Sequence, residues 1–142
     1  FVVFRSPFST VISDYFWLRV RSGNRENVPD WSVKDFKEFL FNDQWVRALT
    51  RNERFYRSFE SVNGVKFLKY EELPGSLYDL CTDLSLPTDW VERFALTRAK
   101  SGVRPSNVDF SRVYADDPSL VERVEFLFPQ LIWDFGYVHS QR

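Results

Sequence analysis

Residues able to do chemistry gather at a few places in this chain. The first is Arg5-Ser6-Pro7, followed by Ser13-Asp14-Tyr15-Phe16. The apolar run Phe1-Val2-Val3-Phe4 reads as a strand buried on both faces, and Ser6-Pro7 as the opening of a helix, so Arg5 stands where one ends and the other begins. That junction suits an anion such as phosphate. Unpaired N–H groups and the positive end of the helix macrodipole face outward there, and an arginine adds a forked donor. Ser13 lies roughly 10 Å up the helix from the cap at 1.5 Å per residue, a span that only a long side chain such as Arg5 can cover. The alternative is an Arg5–Asp14 ion pair, with Ser13 an ordinary polar helix position.

The second place is Phe67-Leu68-Lys69-Tyr70-Glu71-Glu72-Leu73. Open α/β sheets take ligands beyond the carboxyl ends of their strands, and Tyr70 ends this strand, so its ring is placed to meet a planar base. The alternative is a tyrosine packed beneath the following helix. A third stretch, Arg98-Ala99-Lys100-Ser101-Gly102-Val103-Arg104, is a basic loop that solvent alone could satisfy. Arg47, Arg51, Arg54 and Arg57 recur at helical spacing and read as a solvated face balanced by Glu53 and Glu60. His139 falls in a polar tail and reads as a surface residue. Cys81 is the single cysteine, with no second Cys or His cluster near it, so neither an intramolecular disulfide nor a metal site is expected.

The elements that must position these groups follow from pattern. Behind a Ser6 cap and Pro7, the residues Phe8, Val11, Ile12, Tyr15 and Phe16 form one apolar helical stripe. Residues 21 to 30 are polar and rich in breakers, which predicts a loop. Ser32 caps a helix bearing Val33, Phe36, Phe39 and Leu40, and residues 43 to 62 form one or two more helices. Asn63-Gly64 turns into a strand over Val65–Tyr70, and Pro74-Gly75 opens a helix through Leu77, Leu80, Cys81 and Leu84. Pro87–Leu96 predicts another helix, 98–111 a loop, and 118–134 a last helix broken or bent near Pro129. Strand, long crossover and strand imply parallel pairing. Two parallel strands alone make a poor unit, so further strands are expected from an upstream segment or a partner chain completing the sheet.

The chain has 142 residues, 44% hydrophobic and 18% aromatic, enough for a real core in one domain spanning 1–142. Its 19 basic and 20 acidic side chains leave a net charge of −1, which argues against a nucleic-acid or anionic-membrane binder, so any anion site is local. No apolar run approaches the roughly 20 residues of a membrane span, and no signal peptide is recognisable. The cysteine usage suits a reducing, cytoplasmic compartment. An opening on Phe1 and the lack of any methionine predict a piece of a longer protein.

These motifs, in this order, resemble the sulfotransferase family. Val3-Phe4-Arg5-Ser6-Pro7 through Ser13-Asp14-Tyr15-Phe16 is similar to that family's 3′-phosphate motif, with a Ser eight positions after the Arg. Tyr70-Glu71-Glu72-Leu73 resembles its Tyr-Glu-Asp/Glu-Leu motif, whose tyrosine contacts adenine. Asp30-Trp31 with Phe36 and Phe39, and Phe135-Gly136-Tyr137, are supporting matches that carry the likeness to residue 137. Lys100 and Gly102 fit a basic-x-Gly element that closes over the 3′-phosphate, although Arg104-Pro105 replaces the Gly and Trp that usually follow.

The resemblance implies an α/β fold, a partial P-loop-NTPase-like three-layer domain that is helix-rich, with parallel strands and flanking helices. It implies 3′-phosphoadenosine 5′-phosphosulfate (PAPS), or its product 3′-phosphoadenosine 5′-phosphate (PAP), as cofactor, held by Arg5, Ser13, Tyr70, Lys100 and Gly102. Glu71 would brace the loop. The glycine-rich 5′-phosphosulfate loop and the catalytic base would lie upstream, so no catalytic residue is assigned and the 142 residues alone are not expected to turn over. The acceptor would be a small molecule or glycan bearing a hydroxyl or amine. The alternatives are a non-catalytic binding or assembly module of the same fold, and a kinase of the same nucleotide-binding superfamily.

Overall fold

The computed structural model describes residues 1–22, 31–96, 110 and 112–138. The elements run β1 (Val2–Phe4), α1 (Pro7–Ser22), α2 (Val33–Phe41), α3 (Asp43–Leu49), α4 (Arg51–Phe59) and β2 (Phe67–Lys69). A 3-10 turn at Tyr70–Glu72 leads to α5 (Gly75–Asp83), α6 (Asp89–Leu96), α7 (Pro118–Leu127) and α8 (Pro129–Phe135). All five residues of the α1 stripe are buried. Ser32 Oγ accepts the Asp35 N–H at 3.1 Å at the start of α2, and Asn42 Oδ1 accepts the Gln44 N–H at 3.1 Å at the start of α3. Asp117 accepts the Ser119 N–H at 3.1 Å at the start of α7 and is gripped by Lys37 Nζ at 2.6 Å. Hydrogen bonds from Lys37 and then Ser119 hold its carboxyl below the usual carboxylate range.

Two expectations shift. The second strand is shorter than its pattern, and Tyr70 belongs to the 3-10 turn after it. Leu84, placed on the apolar face of α5, lies beyond that helix and is 58% exposed. The last helix breaks at Pro129, as expected: Pro129 has no N–H to donate, so α7 ends and α8 restarts across Phe128.

The two strands are parallel, as their long crossover requires, with Val2 opposite Phe67, Val3 opposite Leu68 and Phe4 opposite Lys69. Alternation then divides the core. Val2, Phe4 and Phe67 point into a large cluster with α1, α2, α4, α7 and α8, whereas Val3 and Leu68 meet Leu77, Leu80 and Cys81 of α5 and Val91 of α6. Helices thus cover both faces, a helix-rich α/β arrangement around a two-stranded parallel sheet among the described residues. Phe4 is the hub of an aromatic knot, with ring centroids 5.5 Å from Tyr56, 5.9 Å from Phe67 and 5.9 Å from Phe135.

One acidic residue corrects the sequence reading outright. Arg47, Arg51, Arg54 and Arg57 are solvated as expected, but Glu53 is buried at 4% exposure. Its two oxygens accept the Gln130 and Leu131 N–H groups, each at 3.0 Å, so a side chain of α4 caps the first turn of α8. Arg57 Nε, at 3.0 Å, balances the charge. One turn on, Tyr56 donates to Asp134 Oδ2 at 2.7 Å. Burial, and then that carboxylate, push the Tyr56 phenol up to about 12.

Glu53→Ala orphans two buried donors and is expected to lower the unfolding free energy by about 3 kcal/mol in urea titrations, where a loss under about 1 kcal/mol would refute the cap. Tyr56 has a folded pKa above its unfolded value of 10.0. Its contribution is therefore complete below pH 10 and drains away as the pH rises towards 12, and Tyr56→Phe flattens that slope.

Candidate functional site

The register builds the site. Phe4 lies opposite Lys69, so the next residues, Arg5 and Tyr70, leave the sheet side by side at the carboxyl ends of both strands. The Arg5 guanidinium carbon sits 5.1 Å from the centre of the Tyr70 ring. From there Arg5 Nη1 reaches along α1 and donates to Ser13 Oγ at 3.5 Å, a long contact. Thr10, 8% exposed, donates to the Arg5 carbonyl at 3.5 Å and fixes the backbone from which the side chain springs. Among the described residues Arg5 enters no ion pair, so the Arg5–Asp14 alternative is not formed. Tyr70 is 52% exposed rather than packed beneath α5. Arg5 therefore touches both Ser13 and Tyr70, and the three groups lie together at one end of the sheet.

A carboxylate closes the other side. Glu71 Oε1 accepts the Ser6 N–H at 2.8 Å, and Glu71 Oε2 lies 3.3 Å from the Tyr137 hydroxyl, which is also 3.3 Å from the Phe4 carbonyl oxygen. Glu71 braces the loop, as expected, but in doing so it takes an amide that the sequence reading left open for an anion. Tyr137 reaches back because Gly136 ends α8 in the left-handed conformation, at φ 60°, which glycine adopts without steric cost. Burial first, then the Glu71 carboxylate, drive the Tyr137 phenol well above its ordinary range. Lys69 Nζ pairs with Glu72 at 3.3 Å and lies 5.7 Å from the Tyr137 ring centre.

Sequence reasoning missed Thr10, a hydroxyl on the buried side of α1, and the Tyr137–Glu71 brace, for which only the match at Phe135-Gly136-Tyr137 offered a signal. Trp31, one of the supporting matches, packs among Tyr15, Phe16 and Phe36 with ring centroids 5.3–5.7 Å away. Lys100 and Gly102, expected to close over phosphate, lie outside the described residues, as does His139. Cys81 is buried and free, and the described residues hold no cluster able to bind a metal ion. None of the described helices is long and apolar enough to cross a membrane. Comparison with protein-family models, with curated proteins and with solved structures returns no match to this chain.

The brace makes a stability test. Tyr137→Phe and Glu71→Ala are each expected to cost about 1 kcal/mol. The double variant should lose less than the sum, because both remove the same hydroxyl–carboxylate bond. Denaturant titration of the three variants measures this, and strict additivity would rule out the shared bond.

Proposed function

We propose that this chain is the nucleotide-gripping part of a sulfotransferase domain of P-loop-NTPase-like, three-layer form. Arg5 and Ser13 hold the 3′-phosphate of PAPS, and Tyr70 holds its adenine. The observation that carries the reading is the convergence of a guanidinium, a hydroxyl and an exposed aromatic face at the carboxyl ends of two parallel strands. A guanidinium binds through its edge and stacks through its face, so Arg5 can rest on the Tyr70 ring while its N–H groups meet phosphate oxygens. A nucleotide with a phosphate close to its base suits such a pair. Lys100 and Gly102 are assigned to the same phosphate on the family resemblance.

When bound, the cofactor supplies the sulfuryl group that passes to an acceptor hydroxyl or amine. The residues of this chain bind and orient the nucleoside end. They set cofactor choice by charge and position, the main demands of such a transfer. None of them is assigned as the base that takes the acceptor's proton.

A second reading, a non-catalytic module of the same fold, gains weight from Glu71. Its carboxylate occupies the Ser6 amide, which removes one donor from the anion site and sets a negative charge beside it.

Calorimetric titration with PAP separates the readings. Binding is expected, weakened at least tenfold by Arg5→Ala and about threefold to tenfold by Ser13→Ala, and at least tenfold weaker for adenosine 5′-phosphate, which lacks the 3′-phosphate. No binding of PAP would leave the non-catalytic reading, and a preference for ATP would indicate a kinase.

A further inference from the structure

The outer edge of β2 offers a second site, away from the Arg5 pocket. The Val2 N–H donates to the Lys66 carbonyl at 2.9 Å, and Val2 lies opposite Phe67. In a parallel ladder this turns the backbone groups of Lys66 and Leu68 towards β1 and those of Phe67 and Lys69 away from it. Among the described residues no strand pairs with that outward edge.

A cleft of about 270 Å³ runs along it, walled on one side by Ser76, Asp79, Leu80 and Asp83 of α5 and reaching Phe135 on the other face of the sheet. These four α5 residues stand at i, i+3, i+4 and i+7, so a single stripe of the helix follows the strand edge. Within the wall, the Ser76 Oγ is buried and has no hydrogen-bond partner among the described residues. Asp79 and Asp83 are exposed and enter none of the ion pairs of the described residues, and Lys69 is already paired with Glu72, so the exposed Lys66, which also lines the cleft, is the one cation there outside those ion pairs.

We propose that this edge receives an extended basic peptide as an added strand, with Lys or Arg at alternate positions facing Asp79 and Asp83. The spacing agrees: alternate residues of a strand stand roughly 6.6–6.8 Å apart on one face, and residues four apart on a helix about 6 Å. The outward groups of Phe67 and Lys69 supply main-chain hydrogen bonds that any sequence can use, and the two carboxylates select for charge. The intervening side chain points past the sheet towards Phe135 and is best apolar. With Lys69 paired to Glu72, the cleft keeps two carboxylates, Asp79 and Asp83, against the one ammonium of Lys66, an acidic balance that favours a basic partner.

Fluorescence anisotropy of labelled Thr-Lys-Val-Lys-Val-Lys-Thr against the whole chain tests this. Saturable binding is expected, with at least tenfold weaker binding to the Asp79→Asn/Asp83→Asn variant and none of the Glu-for-Lys peptide. Methylating the alternate amides that would face β2 keeps every charge and should abolish binding. Equal binding of the methylated peptide, an indifferent double variant, or no binding of the parent peptide would each overturn the proposal. So would a concentration-dependent dimer that the double variant strengthens, since that gives the edge to a second copy. PAP titrations of the same variant should be unchanged, which keeps this outcome separate from the fate of the Arg5 pocket.

Discussion

Phe4 is the residue on which the rest depends, because its side chain and its backbone serve different layers at once. Its ring, 3% exposed, fastens the sheet to α4 and α8 through Tyr56 and Phe135. Its pairing with Lys69 fixes the strand register, and its carbonyl receives the Tyr137 hydroxyl. Side-chain period in a strand is two, so a slip of one residue would turn Phe4 towards α5, expel Val3 and separate Arg5 from Tyr70. The site and the core are therefore specified by one alignment.

The electrostatics of the pocket are more balanced than an anion site on a helix amino terminus would suggest. Arg5 supplies the cation, yet Glu71 lies on the adjacent Ser6 amide. A carboxylate there satisfies an otherwise orphaned donor and stabilises the strand-to-helix junction. It also repels any second anion close by, so the side of Arg5 open to an anion is the one towards Ser13, away from the cap. Charge placement of this kind leaves the guanidinium as the main source of attraction for an anion there.

Local features were legible in the sequence and distant ones were not. Ser32 as a cap, the α1 stripe and the Asn63-Gly64 turn, with Gly64 at φ 84°, depend on neighbours within a few positions. The eight-residue spacing of Arg5 and Ser13 is likewise local, and the structure brings the two together. Glu53 was misplaced because its partners lie 77 and 78 positions away, and helical spacing with nearby arginines says nothing of such partners. Glu71 on Ser6, 65 positions apart, escaped for the same reason. Tyr70 was open between pocket and core until the register placed it beside Arg5. Leu84 failed in the opposite sense: an apolar side chain at helical spacing falls beyond the point where the helix stops.

The sheet itself contributes little of the stability it organises. Two strands of three residues form only a few ladder hydrogen bonds, each worth a net of about 1 kcal/mol, whereas truncating one buried phenylalanine costs about 3–5 kcal/mol. The aromatic knot and the Glu53 cap, which join α4 to α8 and both to β1, hold the larger share. What the strands provide is direction. They carry two chain segments out at the same edge of the core, 65 residues apart in sequence, so that Arg5 and Tyr70 emerge in contact. Helix packing alone sets distances between axes and leaves such a pairing free to slide by a turn. The short parallel ladder removes that freedom, which is the part the two strands of the described residues play beneath the candidate site.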